Sequence, residues 1–198
     1  MKAEIKQESI LLFEKKGFSE TSIQDIVEAL GVTKGTFYYY FQSKEELLMD
    51  IHLGYIDDLL ERQEKIMQEG SDSRGQLIRI VELLIGDIEE HGPSGRVFFR
   101  EMRHLGEANA EEVKDKRERF RLEIEALIRR GVQAGEFRRE IRADMAAFAI
   151  LGVTNWSYQW FNPGGGIPAG QLAEIFSDMI LNGMAEKEEE SIRGTISD

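Results

Sequence analysis

The side chains able to do chemistry concentrate in one short stretch. From Thr33 to Lys44 the sequence TKGTFYYYFQSK carries Lys34, Thr36, three consecutive tyrosines (Tyr38, Tyr39, Tyr40) and Ser43, and no acid falls between Ala29 and Lys44. Hydroxyls and ammonium groups without a competing carboxylate suit an anionic polymer, with phosphates fixing register and base edges giving sequence. Elsewhere such groups are sparse. There is no cysteine, so there is no disulfide, thiol nucleophile or thiolate metal site. His52, His91 and His104 show no metal-ligand spacing, and His52 reads as a hydrogen-bonded core or cavity residue. No G-x-S-x-G occurs, and Gly164 to Gly166 follow a helical pattern, not the strand that a phosphate-binding loop requires. Neither a catalytic site nor a metal site is expected.

The tyrosine-rich stretch needs a scaffold, and the flanking residues supply one. Thr21 and Gln24 have the spacing of a capping box, which starts a helix at about Ser22. Ile23, Ile26, Val27 and Leu30 share its inner face, and Gly31 suits its end. Thr33 can cap a second helix, about Lys34 to Phe41, whose Phe37 and Phe41 face the core. Two short helices joined by a tight turn make a helix-turn-helix, with the second short enough to enter a DNA major groove. A first helix over 2–16, with Ile5, Leu12 and Phe13 inward, braces the pair. Ser43 and Glu46 open a long helix to about Glu69, roughly 39 Å at the standard rise.

Beyond residue 70 the apolar spacing stays helical. A helix marked by Leu77, Ile80, Val81, Leu84, Ile85 and Ile88 is expected to end at His91-Gly92-Pro93, with a shorter one over 94–105. A charged amphipathic helix over 108–131 would bury Val113, Phe120, Ile124, Leu127 and Ile128. The next, 143–161, is apolar on most sides and must be covered on more than one. Pro168 can open a last helix with Leu172, Ile175, Phe176, Met179, Ile180 and Met184 inward. The expected chain is all-α with about nine helices: a head over 1–45, a body over 46–187 and an acidic tail over 188–198.

The run Gly31-Val32-Thr33-x-Gly35-x-x-Tyr38-x-Tyr40-Phe41-x-x-Lys44-Glu45-x-Leu47, with Thr21, Ile23 and Ile26 upstream, resembles the DNA-binding signature of the TetR family of bacterial repressors over about a quarter of the chain. The resemblance implies that Lys34, Gly35, Thr36, Tyr38 and Tyr39 face the groove, Gly35 allowing close approach of the backbone. It further implies that Thr33, Tyr40 and Lys44, with Thr21 and Ser22 from the preceding helix, hold flanking phosphate. The family pairs its last two helices with a second subunit, which implies a homodimer reading a palindromic operator, and it places a small apolar ligand among the body helices. The segment from Gly152 to Gly165, with Trp156 and Trp160, is similar to a subgroup that responds to acyl-CoA thioesters and governs fatty-acid or related degradation. On that basis Phe98, Phe99, Met102, Phe120, Trp156 and Trp160 are candidates for the effector's tail, and Arg96, Arg100, Arg103 and Arg117 for its anionic part. Close packing of the same aromatics is the alternative.

Charge bears on this reading. The formal net charge is −12, and residues 1–50 hold six lysines against nine acids, so even the head is −3. DNA affinity normally comes with a basic surface. The stretch from Ala29 to Lys44, with two lysines and no acid, is thus locally positive, while the remaining −9 lies on the body. The N-terminus lacks the apolar run of a signal peptide, and no segment approaches the roughly 18 apolar residues of a membrane span, so a cytoplasmic protein without membrane partners is expected. The leading expectation is a repressor released by an acyl-CoA. A regulator of efflux or stress genes with a drug-like effector, and a helical acyl-CoA-binding protein without DNA binding, remain alternatives.

Overall fold

Helices in this chain begin where a side chain can satisfy free backbone N–H groups. Ser43 Oγ accepts from Glu46 N at 3.1 Å, Thr33 Oγ1 from Thr36 N at 3.2 Å and Asp72 Oδ1 from Gly75 N at 2.7 Å. The computed structural model describes residues 1–184, so the expected acidic tail and residues 185–187 of the expected body lie outside the described residues. Among the described residues there are eight α-helices and no strand: α1 Lys2–Lys16, α2 Ile23–Leu30, α3 Lys34–Tyr40, α4 Lys44–Gln68, α5 Ser73–Glu101, α6 Glu107–Gln133, α7 Ala143–Trp160 and α8 Ala169–Met184. A 3-10 turn, Met102–His104, links α5 to α6.

Two expectations about boundaries need correction. The cap of α2 is Ser22 with Asp25, not Thr21 with Gln24. Thr21 is fully buried and donates its hydroxyl to Gly17 O at 2.8 Å, closing the α1–α2 connection, so capping falls to the next hydroxyl. The expected stop at His91-Gly92-Pro93 is a kink within α5, with His91 at φ −131°, ψ 23°. Proline removes one N–H from the helical ladder, which bends the helix. The chain nevertheless resumes its helical course, because Gly95 is held under the ring of Tyr158: a Cβ on Gly95 would fall 2.1 Å from Tyr158 Cε1. Eight helices therefore replace the expected nine.

Helix α5 is the central post. It packs against α8, α4, α7, α6 and α1. Ile5, Phe13, Ile26, Phe37, Phe41 and Leu47 close the head, while Leu77, Ile80, Phe98, Ile124 and Leu127 close the body. The residues Val113, Phe120, Ile124, Leu127 and Ile128 of α6 are all buried, as their spacing predicts. On α8 the prediction fails for Ile175 and Met179, which point outward, Met179 at 67% exposure. They join Met145, Phe148, Val153, Trp156 and Trp160 of α7 as large apolar side chains left open to solvent. No helix of the described residues is long and apolar enough to cross a membrane.

Candidate nucleic-acid interface and effector cavity

Helix α3 presents the sequence-predicted groove residues on its open side. Tyr39 is 81% and Tyr38 53% exposed, Lys34 and Gly35 are exposed, and Phe37 holds the helix from beneath. The hydroxyls of Thr33 and Thr36 lie 3.1 Å apart. Tyr40 is half-buried, its ring edge-on to Tyr39 at 4.9 Å. Nothing inside the fold requires glycine at 35. An added Cβ would meet only Thr33 Oγ1, at an ordinary 3.5 Å. Glycine in a helix costs about 0.5–1 kcal/mol relative to alanine, so its presence suits a surface that something outside approaches closely.

Three expected phosphate contacts are placed differently. Thr21, buried with its hydroxyl used internally, has no surface to offer. Ser22 is exposed, but the start of α2 already holds the chain's own anion: Asp25 Oδ2 accepts from Ser22 N and Ser22 Oγ, each at 2.7 Å. Those two hydrogen bonds, backbone first, and then Lys16 at 3.1 Å pull the Asp25 pKa down to about 2. Lys44 turns inward. Its Nζ donates to Phe18 O and Thr21 O, both at 2.7 Å, and sits 4.2 Å from the Phe18 ring centre. It pins α4 to the α1–α2 connection, leaving Lys34 as the cation that α3 presents.

The body contains a cavity of about 410 Å³ bounded by α4, α5, α6 and α7. Leu59, Leu84, Phe120, Phe148 and Leu151 give it an apolar wall, Phe98 and Phe99 close one side, and Arg117 and Asn155 bring polar groups to it. Of the ten residues suggested by the sequence for the effector, Phe98, Phe99, Phe120 and Arg117 line it. The others do not. Arg96 donates to Glu14 Oε1 at 2.6 Å, and Arg100 donates to the carbonyls of Phe13 and Glu14, the latter at 2.9 Å, so both reach across to α1 of the head. Arg103 lies in the groove between the 3-10 turn and the end of α1. Met102 flanks the cavity with its sulfur 3.2 Å from Arg117 Nη1. Trp156 and Trp160 occupy the opposite, solvent-facing side of α7, because their helical phase sets them away from Leu151 and Asn155.

Sequence reasoning missed the polar cluster beside the α5 kink. Asp87 is buried and its carboxylate is held by Tyr55 at 2.7 Å, Tyr158 at 2.6 Å, His91 Nδ1 at 3.1 Å and Arg62. Burial alone would raise its pKa, yet the hydrogen bonds from Tyr158, Arg62 and Tyr55 outweigh that and hold it below the ordinary carboxylate value. The cluster ties α4, α5 and α7 together. A signal existed: Asp87 follows Leu84 by three residues and Ile80 by seven, so a charge sits at core spacing. His52 is fully buried, as expected for a core residue, with Nδ1 2.9 Å from Leu48 O. Its Nε2 has no hydrogen-bond partner among the described residues, and burial pushes its pKa down. No cluster of metal-ligating side chains occurs among the described residues.

A helix-turn-helix head with an open α3, joined by a long helix to an all-α body with its own cavity, defines a one-component DNA-binding regulator. Residues 8–51 match the family described as bacterial regulatory proteins, tetR family, and residues 70–184 match the tetracyclin repressor-like C-terminal domain. The chain belongs to the TetR family. It is 29% identical over 176 residues, 88% of this chain and 86% of the relative, to the HTH-type transcriptional repressor KstR2 of Rhodococcus jostii (strain RHA1). The TetR family regulator PfmR from Thermus thermophilus superposes with a TM-score of 0.85 at 34% identity, over 90% of this chain and 97% of that one. AibR, solved in complex with isovaleryl coenzyme A and operator DNA, shares the fold with a TM-score of 0.82 at 23% identity, over 90% and 96% of the two chains. The protein is a ligand-responsive transcriptional repressor and not an enzyme.

Proposed function

We propose that this regulator works in the cytoplasm as a homodimer joined through α7 and α8, holds its two heads on a palindromic operator, and lets go when an acyl-CoA enters the body cavity. The observation that carries the dimer is a set of exposed apolar side chains, Val153, Trp156 and Trp160 on α7 with Ile175 and Met179 on α8, two helices that both pack against α5. Soluble proteins rarely leave so many large apolar side chains uncovered, and a two-fold pairing of these helices with their copies gives two heads at fixed spacing. Lys34, Gly35, Thr36, Tyr38 and Tyr39 then enter the groove, with Thr33 and Tyr40 beside them.

Support for an acyl-CoA comes from the apolar cavity with a cation beside it, and from the shared fold of AibR, solved in complex with isovaleryl coenzyme A and operator DNA. Release follows if the effector binds better to a conformation whose heads are wrongly spaced. The regulated genes would then encode fatty-acid or related degradation. The test is a gel shift on the protein's own promoter region with and without a long-chain acyl-CoA, beside light scattering of wild type and Met179→Glu. A dimer that binds and is released, with a monomeric variant binding at least about tenfold more weakly, is the expected result. A monomeric wild type that binds the operator would sink the dimer, and binding indifferent to acyl-CoA would sink the effector.

A further inference from the structure

Charge around the body cavity is balanced at every ionic group but one. Lys114 is paired with Glu111 at 2.8 Å, and Glu118 with Arg121 at 2.6 Å, while Arg121 also binds Glu125 at 2.7 Å. Arg117, from the same turns of α6, has no carboxylate partner among the described residues. Its Nη1 donates only to the weak acceptor Met102 Sδ at 3.2 Å, and its guanidinium stands 6.0 Å from the ring centre of Phe98, a buried cavity wall. Arg117 is exposed on the open side of the cavity, and desolvation by the protein atoms around it lowers its pKa. On the facing helix, the Asn155 carboxamide lines the same cavity and makes no hydrogen bond among the described residues. An uncompensated guanidinium and a free amide at the edge of an apolar space are the arrangement that recognises an oxyanion attached to a hydrocarbon.

We propose that Arg117 is the anion receptor of the cavity, with Asn155 as second donor, and that the ligand taken there is a hydrocarbon chain carrying a carboxylate or phosphate. This rests on the reading of the cavity as the effector site, and it narrows the chemistry: neutral lipophiles of the same size are poor ligands. The anion has two sources, the carboxylate of a free fatty acid or the phosphates of a CoA thioester. Guanidinium donates two parallel N–H bonds to either, which an alcohol cannot match.

Calorimetric titration of the full-length protein with decanoate, decanoyl-CoA and decanol tests it, with Arg117→Gln and Arg117→Lys alongside. Loss of a charge-assisted hydrogen bond weakens binding about tenfold or more. The expected result is that wild type prefers at least one anionic probe to decanol by about that factor, that Arg117→Gln loses the preference, and that Arg117→Lys keeps part of it. Preference for decanoate identifies a free acid, and preference for decanoyl-CoA alone identifies the thioester. Equal binding of decanol and the anions, or an anion preference unchanged in Arg117→Gln, overturns the role of Arg117 while leaving an effector cavity in place. Wild type that binds none of the probes overturns both. An anion that binds through Arg117 yet leaves the operator complex intact upholds this assignment and removes only the effector reading.

Discussion

Lys34 and Lys44 bracket the recognition helix and carry the same charge, yet their surroundings give them different work. Lys34 is exposed, whereas Lys44 is bound to two backbone carbonyls and an aromatic face. Lys34→Ala is therefore expected to weaken binding to all operator variants with no change in the thermal midpoint. Lys44→Ala should lose about 2 kcal/mol of stability, because two buried carbonyls lose a charged donor, and should lose DNA binding as a consequence. Thermal unfolding beside gel shifts separates the two, and a Lys44→Ala protein as stable as wild type would contradict the assignment. His52 gives a pH effect with a definite sign. Its folded pKa lies below the ordinary 6.5, so as pH falls through 6.5 the unfolded chain takes up a proton before the folded one does, and stability declines. Urea midpoints on either side of pH 6.5 should differ less in His52→Gln than in wild type; an unchanged difference would assign it to another group.

At the scale of elements, the part of α5 beyond its kink faces two ways. Phe98 and Phe99 wall the cavity, and Arg96 and Arg100, on the same short stretch, grip α1 of the head. The long helix α4 joins head to body and is one path for a lever. The structure gives this segment as direct a path, because a displaced Phe98 and a displaced Arg100 lie within one turn. In Arg96→Ala/Arg100→Ala the effector should bind the body as in wild type but release DNA less effectively, by about tenfold in the ratio of operator affinities without and with ligand. Calorimetry and gel shifts on the same preparations check this, and an unaltered ratio would return the lever to α4. A break was legible in His91-Gly92-Pro93, but that it would be a kink and not a stop was not. Whether a proline ends a helix or bends it depends on what covers the next turn, here the Tyr158 ring on Gly95.

For the molecule as a whole, the net charge of −12 and the loss of Lys44 to an internal role leave few cations for DNA. Each phosphate neutralised by a cation releases counterions and steepens the dependence on salt, whereas hydroxyl and backbone contacts do not. Operator affinity should therefore fall with salt much less steeply than for about ten neutralised phosphates; a titration with that steeper slope would refute the hydroxyl-rich interface. The sequence by itself determined the helical class, the helix-turn-helix with its buried Phe37 and Phe41, and the family, because these depend on local spacing, caps and a contiguous motif. Only the tertiary structure decided which side of each body helix meets a neighbour. Periodicity marks an apolar stripe without saying what covers it, so Ile175 and Met179 were expected inside and lie outside, and Trp156 turned from a cavity candidate into part of the open face. The same limit applied to the arginines. Composition supplied four cations, and only packing showed that two bind the head, one lies in the groove beside it and one, Arg117, stands at the cavity without a carboxylate partner among the described residues.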